Sequence, residues 1–199
     1  MNIIEIFTKS LFLIFSFDGD LWEIIILSLY VSISALIIAS ILGLVIGYYI
    51  ALKKFLFKSF ILIVLNSLMG IPPVVVGLIV YFTFASGGPL GVLQLLFTPS
   101  AMIIAQVIII FPIVTSISHE IFDQNWREYK DQLRSINMPF FGVAFIITKH
   151  SYFLVITALL SAFGRAISEV GAVMIVGGNI DHFTRVMTTA ISLETRMGN

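Results

Sequence analysis

The chain contains no cysteine and few charged side chains. Charged residues make up 11% of its 199 residues, against roughly 25% in a typical soluble domain. Without cysteine, neither disulfides nor thiolate metal sites can form. Eleven basic and eleven acidic residues cancel, so no basic excess indicates a nucleic-acid partner. The sequence also lacks a Gly-x4-Gly-Lys-Ser/Thr loop, which excludes ATP hydrolysis through that motif.

Hydrophobic residues, in contrast, make up 59% of the chain and occur in long runs. A membrane-spanning helix needs about 20 mostly apolar residues. Four runs come close to or exceed that length: residues 21–52, 60–85, about 100–117, and about 145 to just before Gly177. We therefore predict an all-α, polytopic bundle of membrane helices, with the transmembrane domain over residues 21–180.

Two of these runs contain residues that interrupt helices. Pro72 and Pro73 lie inside the second run, and proline removes an amide donor and clashes with the preceding turn. Broken backbone in a membrane is tolerated only against protein or a water-filled cavity. This run is therefore predicted to lie inside the assembly. Glycines in and after the fourth run are further candidates for a break or a pathway: Gly164, Gly171, Gly177 and Gly178.

A stripe of small residues follows the first run at every fourth position. Its members are Ala35, Ala39, Gly43, Gly47 and Ala51. Such a stripe lets another helix approach closely in a membrane. Packing within the bundle and lining of a pore are both compatible with it.

The N-terminal segment, residues 1–20, does not have the pattern of a secretory signal. Lys9 is its only base, Glu5 precedes it, and no small-residue cleavage site follows the apolar stretch. We predict a short amphipathic helix over residues 2–17 that lies at the membrane surface.

The basic residues predict the orientation of the spans. Seven of the eleven bases fall in the segment after the first run and in the polar stretch with its continuation: Lys53, Lys54, Lys58, Arg127, Lys130, Arg134 and Lys149. Basic segments of this kind face the cytoplasm. The acidic region before the first run should then lie outside, and four spans connect these positions in alternation.

The polar stretch from residue 118 to 148 is predicted to form a cytoplasmic knob. Asp123 is a plausible N-cap for a helix through Ser135, and Asn137 could cap a second short helix with Pro139 in its first turn. Two spans flank such a knob, so a displacement of the knob would be transmitted to both of them. A simple solvated loop is the alternative.

This stretch resembles the signature loop of ABC importer permeases, which reads Glu-Ala-Ala, three residues, Gly, nine residues and Ile-x-Leu-Pro. Here the same spacing joins Asp131-Gln132-Leu133, Asn137 and Ile147. The chemistry departs from the family, since Asp replaces Glu, Asn replaces Gly and the Leu-Pro ending is absent. In the family this loop forms a coupling helix that docks on an ATP-binding subunit. The resemblance therefore implies such a partner, which would also bind the ATP and Mg, while this chain holds no cofactor.

Three further stretches resemble the tungstate and molybdate branch of that family, and especially its tungstate permeases. They are residues 68–78, residues 164–180 with the wording Gly-Arg-Ala-Ile-Ser-Glu-Val-Gly-Ala, and residues 184–191. The resemblance implies oxyanion import, with tungstate first and molybdate, sulfate or phosphate as alternatives. It also implies a permease homodimer in the lipid of the plasma membrane and an extracytoplasmic oxyanion-binding protein. A last spanning helix follows in the family, so residues 181–199 are expected to be a truncated extracytoplasmic tail.

Arg165 and Glu169 lie deep inside the fourth apolar run. They are four residues apart, which places them on one face of a continuous helix. Intramembrane charges cost at least about 2.5–3.5 kcal/mol each on insertion scales, so both should face the bundle interior. Three roles remain open: attraction of an oxyanion by Arg165, a latch between two transport states, and a static structural pair.

No pattern in the sequence indicates catalysis. His119, His150 and His182 show no metal-ligand spacing with one another, and no acid–base constellation appears. We expect no metal site and no enzymatic activity in this chain. A channel or membrane scaffold without an ATPase partner is the alternative from another functional class.

Overall fold

A computed structural model describes residue 16 and residues 18–198. Within that part of the chain there are eight α-helices, one 3-10 turn at Gly91–Leu93 and no strand, which confirms the all-α prediction. The helices are α1 (Gly19–Leu52), α2 (Lys58–Met69), α3 (Pro73–Phe84), α4 (Pro99–Ser135), α5 (Phe140–His150), α6 (Tyr152–Ile167), α7 (Gly171–Gly177) and α8 (Met187–Met197). The interfacial helix predicted over residues 2–17 falls, apart from residue 16, outside the described residues.

Helices α1 and α4 are each long and apolar enough to cross a membrane. Two bent pairs also qualify if each is taken as one span: α2 with α3, bent by 99°, and α5 with α6, bent by 78°. The described residues thus hold two continuous candidate spans, or up to four when the bent pairs are included.

The stripe of small residues on α1 packs against α4. All five of its members are buried. A Cβ on Gly43 would come within 2.8 Å of Val114 Cγ1, and a Cβ on Gly47 within 2.8 Å of the Thr115 carbonyl oxygen. The two helices therefore approach almost backbone to backbone, as small residues permit in a membrane. Within this chain the stripe serves packing inside the bundle.

The prediction that Asp123 begins a separate helix after the third apolar run is wrong. Helix α4 continues without a break to Ser135, with Pro112 inside it, so Asp123 lies in a helix interior and caps nothing. The physical reason is that an apolar face continues through the polar stretch, where Phe122 and Leu133 are buried. The exposed polar residues occupy only the opposite face.

The predicted fourth span, from about residue 145 to the glycines, is also wrong in detail. Three helices replace it: α5 begins at Phe140 with Pro139 as its N-cap, the chain bends at Ser151, and α6 and α7 follow. No proline or glycine marks the bend. The bend instead follows from packing, because Val143 and Ile147 of α5 are buried on a cluster that lies beside α4.

That cluster is a second core, separate from the larger one within the bundle. We call it the basal core, and it consists of Tyr48, Ala51, Ile121, Phe122, Leu133, Val143, Ile147, Val155 and Ala158. It joins the end of α1 to the end of α4 and to both α5 and α6. Side chains from four helices therefore pack together next to the turn between α4 and α5.

Candidate functional site

The break between α2 and α3 is set by two adjacent prolines. Pro73 occupies the first position of α3, and Pro72 precedes it as N-cap with φ −59° and ψ 128°. A residue that precedes proline is pushed out of the helical region, so Pro73 forces the extended backbone at Pro72. The predicted interruption at this dipeptide is confirmed.

A second break divides the fourth apolar run, and no proline causes it. Helix α6 ends at Ile167 and α7 begins at Gly171. Between them, the Glu169 side chain is 5% exposed and its Oε1 accepts a hydrogen bond of 3.1 Å from the Ala172 backbone N–H. The Glu169 carbonyl oxygen accepts a hydrogen bond of 2.9 Å from the Thr188 hydroxyl of α8. This residue therefore links the start of α7 to α8.

The expectation that Arg165 and Glu169 share one face of a helix is wrong, because Glu169 lies beyond the end of α6. The two side chains still approach, with 3.8 Å between Arg165 Nη1 and Glu169 Oε2. Arg165 remains 40% exposed while Glu169 is buried. One carboxylate oxygen of Glu169 thus accepts from the Ala172 N–H, and the other faces Arg165 at the long end of the ion-pair range.

The two broken spans touch each other directly. A Cβ on Gly77 would lie 2.8 Å from Ala172 Cα, and a Cβ on Gly171 would lie 2.6 Å from Val74 Cγ2. Helices α3 and α7 thus pack backbone against backbone just after their breaks. Gly171, predicted as a pathway candidate, serves this close approach. Gly77 has the same role, and the sequence analysis missed it because an isolated glycine in an apolar helix carries no distinctive signal.

A cavity of about 330 Å³ opens beside the first break. Its walls are apolar side chains of α1, α2, α3 and α4 and of Ile71 in the break, together with Arg165 from α6. Arg165 is the only charged residue among those that line it. An anion entering this space would meet one guanidinium group in an otherwise apolar wall, where electrostatic interactions are strong. The cavity thereby brings together the first helix break and the arginine that the sequence analysis named separately.

None of the four predicted glycines is among the residues that line the cavity. Gly177 packs against Met102, since a Cβ on Gly177 would lie 2.9 Å from the Met102 sulfur, and Gly178 ends α7 with φ +72° beside Phe97. Both therefore close the far end of α7. Gly164 differs, since a Cβ there would meet nothing within 4 Å, and it lies on the surface of α6.

Helix α6 carries a polar face that the sequence analysis did not identify. Its members recur at helical spacing and are Thr157, Ser161, Gly164, Arg165 and Ser168; all are exposed except the half-exposed Arg165. Their hydroxyls donate back to carbonyl oxygens of the same helix over 2.8–3.2 Å. The available signal was the recurrence of polar residues every three to four positions along an apolar run.

The residues that match the importer signature lie in the turn between α4 and α5 and in the adjoining parts of both helices. Asn137 has φ +49°, its N–H bonds to the Arg134 carbonyl at 3.0 Å, and the Met138 N–H bonds to the Leu133 carbonyl at 3.2 Å. This pair of bonds is a Schellman motif, which ends a helix with a left-handed residue. Asn137 therefore terminates α4, and the expectation that it caps the next helix is wrong. Glycine is favoured at such a position and asparagine is the next best choice.

The signature residues divide into an exposed and a buried set. Leu133 is 7% exposed and Ile147 is fully buried, and both belong to the basal core. Asp131, Gln132 and Asn137 are exposed. The buried pair thus holds the turn in place, and the exposed three are the ones available to another protein.

Charged residues gather at both ends of the bundle. At the end of α1 and α4, Lys58 Nζ lies 3.2 Å from Asp123 Oδ1, and Lys53 lies 5.6 Å from the ring centroid of Phe140. At the opposite end, His182 Nδ1 lies 2.9 Å from Glu23 Oε2. The hydrogen bond to Glu23, helped by the nearby charge of Asp181, raises the pKa of His182.

The three histidines lie in separate places. His150 contacts the Tyr129 hydroxyl at 2.9 Å, His182 contacts Glu23, and the Nε2 of His119 is buried without a hydrogen-bond partner among the described residues. Within residues 18–198, no group of three or more Asp, Glu or His side chains could hold a metal ion.

Continuous and broken apolar helices around a cavity that one arginine lines are typical of a polytopic membrane protein of the transport class. The sequence profile described as "binding-protein-dependent transport system inner membrane component" matches residues 40–198, and the chain belongs to this family. The expectation of an ABC importer permease is confirmed. The family consists of transport permeases rather than enzymes, which also disfavours a channel or scaffold without partners.

Three relatives show how far this similarity extends. A probable anion ABC transporter permease of Haloferax volcanii is 41% identical over 177 residues, which cover 86% of this chain and 76% of the relative. The tungstate uptake system permease TupB of Peptoclostridium acidaminophilum is 38% identical over 99% of this chain and 86% of its own length. TupB of Campylobacter jejuni is 34% identical over 96% of this chain and 80% of its own length.

Proposed function

We propose that this chain is the permease subunit of an ABC importer whose substrate is an oxyanion, with tungstate as the first candidate. The observation that carries the proposal is Arg165 in the wall of the apolar cavity, beside the break at Pro72 and Pro73. An arginine in that position favours an anion over a neutral solute or a cation. The choice of tungstate rests on two relatives named as tungstate uptake permeases, which align over nearly the whole chain.

The pathway is proposed to form between two copies of the permease, along the polar face of α6. Hydroxyl groups and an arginine are costly next to lipid and turn toward protein or a water-filled cavity. The face is exposed in a single copy, so a second copy would enclose it. In this arrangement Arg165 of each copy lines the same passage.

The roles of the two intramembrane charges are proposed to differ. Arg165 is half exposed and lines the cavity, whereas Glu169 is buried and accepts a hydrogen bond from the Ala172 N–H in the first turn of α7. We assign the anion to Arg165 and a structural task to Glu169. The neighbouring carboxylate would weaken the hold of Arg165 on a dianion, and a transport path requires binding weak enough for release.

Energy for transport is proposed to come from a separate ATP-binding subunit, which also holds the ATP and Mg. It would dock on the exposed residues Asp131, Gln132 and Asn137 of the α4–α5 turn, within the loop over residues 118–148. The basic end of the bundle would face the cytoplasm, and an extracytoplasmic binding protein would meet the opposite end near residues 86–98 and 179–199. ATP needs only to bind two states of the assembly with different affinity to shift between them.

The test is ATP hydrolysis in lipid vesicles by the complex of this chain with its ATP-binding and oxyanion-binding partners. Tungstate, molybdate, sulfate and phosphate are supplied in turn, and the same complex without the binding protein is the control. We expect tungstate to stimulate hydrolysis most strongly, and only with the binding protein present. Stronger stimulation by another oxyanion would overturn the tungstate assignment alone. An assembled complex that no oxyanion stimulates would overturn the oxyanion class.

A further inference from the structure

Lys58 joins three elements at the basic end of the bundle. Its Nζ donates to the Ala51 carbonyl oxygen at 3.2 Å and to Asp123 Oδ1 at 3.2 Å. Ala51 lies in the last turn of α1, whose final carbonyls have no partner within the helix. Lys58 itself is the first residue of α2, and Asp123 lies in α4. One side chain thus ties the ends of two helices to the middle of a third.

The environment of this tie is partly buried. Side-chain exposure is 25% for Lys58 and 16% for Asp123. The second oxygen of Asp123 pairs with Arg127 at 2.7 Å, but Arg127 is 78% exposed, and exposed pairs contribute little. Because the contact between Lys58 and Asp123 is shielded from solvent, it is the stronger of the two constraints on this carboxylate.

The same helices are tied a second time further along α2. The Ser116 hydroxyl of α4 bonds to the Asn66 side chain of α2. Helix α2 is thus fastened to α4 near both of its ends. It ends at Met69, which lines the cavity next to the break that precedes Pro73.

Helix α4 continues from Asp123 to the signature turn without interruption. Twelve residues separate Asp123 from Ser135, which is about 18 Å at the helical rise of 1.5 Å per residue. A displacement of the turn would therefore move Asp123 as part of a rigid rod. Through Lys58 the same displacement would reach the start of α2.

We propose that Lys58 and Asp123 are a positioning pair that transmits movement of the α4–α5 turn through α2 to the helix break at the cavity. This inference rests on the proposed function, because the turn must receive its movement from an ATP-binding subunit. Two arrangements of a packed element that both sites bias are what such coupling requires. Here that element is α2, held at one end by the pair and bordering the cavity at the other.

The first experiment measures oxyanion uptake per ATP hydrolysed by the full complex in vesicles. Lys58→Met and Asp123→Asn remove the attraction, and the exchange Lys58→Asp with Asp123→Lys restores it in reverse. Lys54→Met is the matched control, since Lys54 is exposed in the same segment and its replacement removes the same charge. We expect each single variant to lower uptake per ATP by about tenfold, a typical size for coupling between sites. The exchange should recover at least part of this loss, and Lys54→Met should match the wild type.

The second experiment follows α2 itself and needs no oxyanion. Because the chain has no cysteine, Ser67→Cys places one spin label at an exposed position of α2 in each of the two permease copies. ATP binding to the assembled complex should change the distance between the labels, and Lys58→Met should abolish the change.

The two experiments separate the possible failures. A wrong substrate would leave the label distance responsive to ATP while uptake fails in every variant. Wild-type uptake per ATP in Lys58→Met, or an unchanged label response in that variant, would overturn the positioning pair. So would a loss that the charge exchange does not recover in complexes that assemble normally.

Discussion

The two broken spans of this permease differ in what breaks them. Between α2 and α3, the covalent ring of Pro73 forces Pro72 out of the helical region. Between α6 and α7, the buried Glu169 carboxylate accepts a hydrogen bond from the Ala172 N–H in the first turn of the new helix, and Gly171 allows the close approach of α3. The first break is local and needs no other part of the fold. The second exists only because Glu169 and Gly171 have partners elsewhere in the structure.

The two breaks should respond differently to substitutions elsewhere in the structure. A local break should survive loss of distant contacts, whereas a contact-dependent break should fail together with them. Since α3 and α7 touch at Gly77 and Ala172, the local break also supplies a surface on which the other one depends. Substitutions at the contact should therefore have larger effects than substitutions at either break.

The largest effect is expected from Gly77→Ala. Its Cβ would stand 2.8 Å from the Cα of Ala172, and because that neighbour is backbone, the two helices must separate. Overpacking of this kind costs about 1–3 kcal/mol and occasionally more. Gly164→Ala is the matched control, since its Cβ meets nothing within 4 Å and alanine is the better helix former by about 1 kcal/mol. In thermal unfolding in detergent, the first variant should melt lower than the wild type and the second slightly higher. Equal midpoints for both would show that the contact between α3 and α7 is not tight.

Glu169→Ala should have the next largest effect and tests the contact-dependent break alone. The variant leaves the buried Ala172 N–H and the Arg165 guanidinium without their acceptor, and an unsatisfied buried donor costs about 1–3 kcal/mol. Glu169→Gln keeps an acceptor oxygen and removes only the charge, so it should be clearly more stable than Glu169→Ala. The thermal midpoints of the two variants give the comparison. If the glutamine variant is as unstable as the alanine variant, the charge rather than the hydrogen bond holds α7.

Pro73→Ala should have a smaller effect on stability and tests the local break. Removing this ring frees residue 72 to adopt helical angles, whereas Pro72→Ala leaves the constraint of Pro73 in place. We expect both variants to unfold within about 1 kcal/mol of the wild type, since neither proline fills a tight contact. Uptake should fall only in Pro73→Ala, because the break borders the cavity. Equal uptake by both variants would contradict a local origin of the break.

The comparison also explains how much of this structure the sequence could predict. The break at Pro72 was predicted, since proline acts through its own covalent geometry. The break before Gly171 was predicted only as one of four glycine candidates, and Arg165 and Glu169 were placed on one continuous helix. A glutamate four residues after an arginine looks the same whether it continues the helix or caps the next one.

The same distinction holds at the signature turn. The resemblance to the importer signature located Asn137, and the structure supplies the physical reason for a residue of this kind there, a left-handed conformation that ends α4. The length of α4 was missed, because polar residues on one face concealed the buried Phe122 and Leu133 on the other. Contacts between distant segments, such as Lys58 with Asp123, leave no trace in a single sequence. The sequence therefore predicted the membrane class and the positions of the motifs, but not which of them meet.

The smallest effect is expected from a contact that is distant in sequence but exposed, the pair of His182 and Glu23. Their side chains are 62% and 45% exposed, so solvent screens the pair. Its contribution to the free energy of unfolding should therefore be far smaller than that of the buried Glu169. The hydrogen bond to Glu23 raises the pKa of His182, so its stabilisation is complete below the unfolded value of about 6.5 and is lost as the pH rises through the folded value. His182→Gln should therefore lower the thermal midpoint slightly near pH 5.5 and leave it unchanged near pH 9, roughly at the two ends of that titration. A difference that persists at the higher pH would mean that the neutral ring, and not its charge, makes the contact.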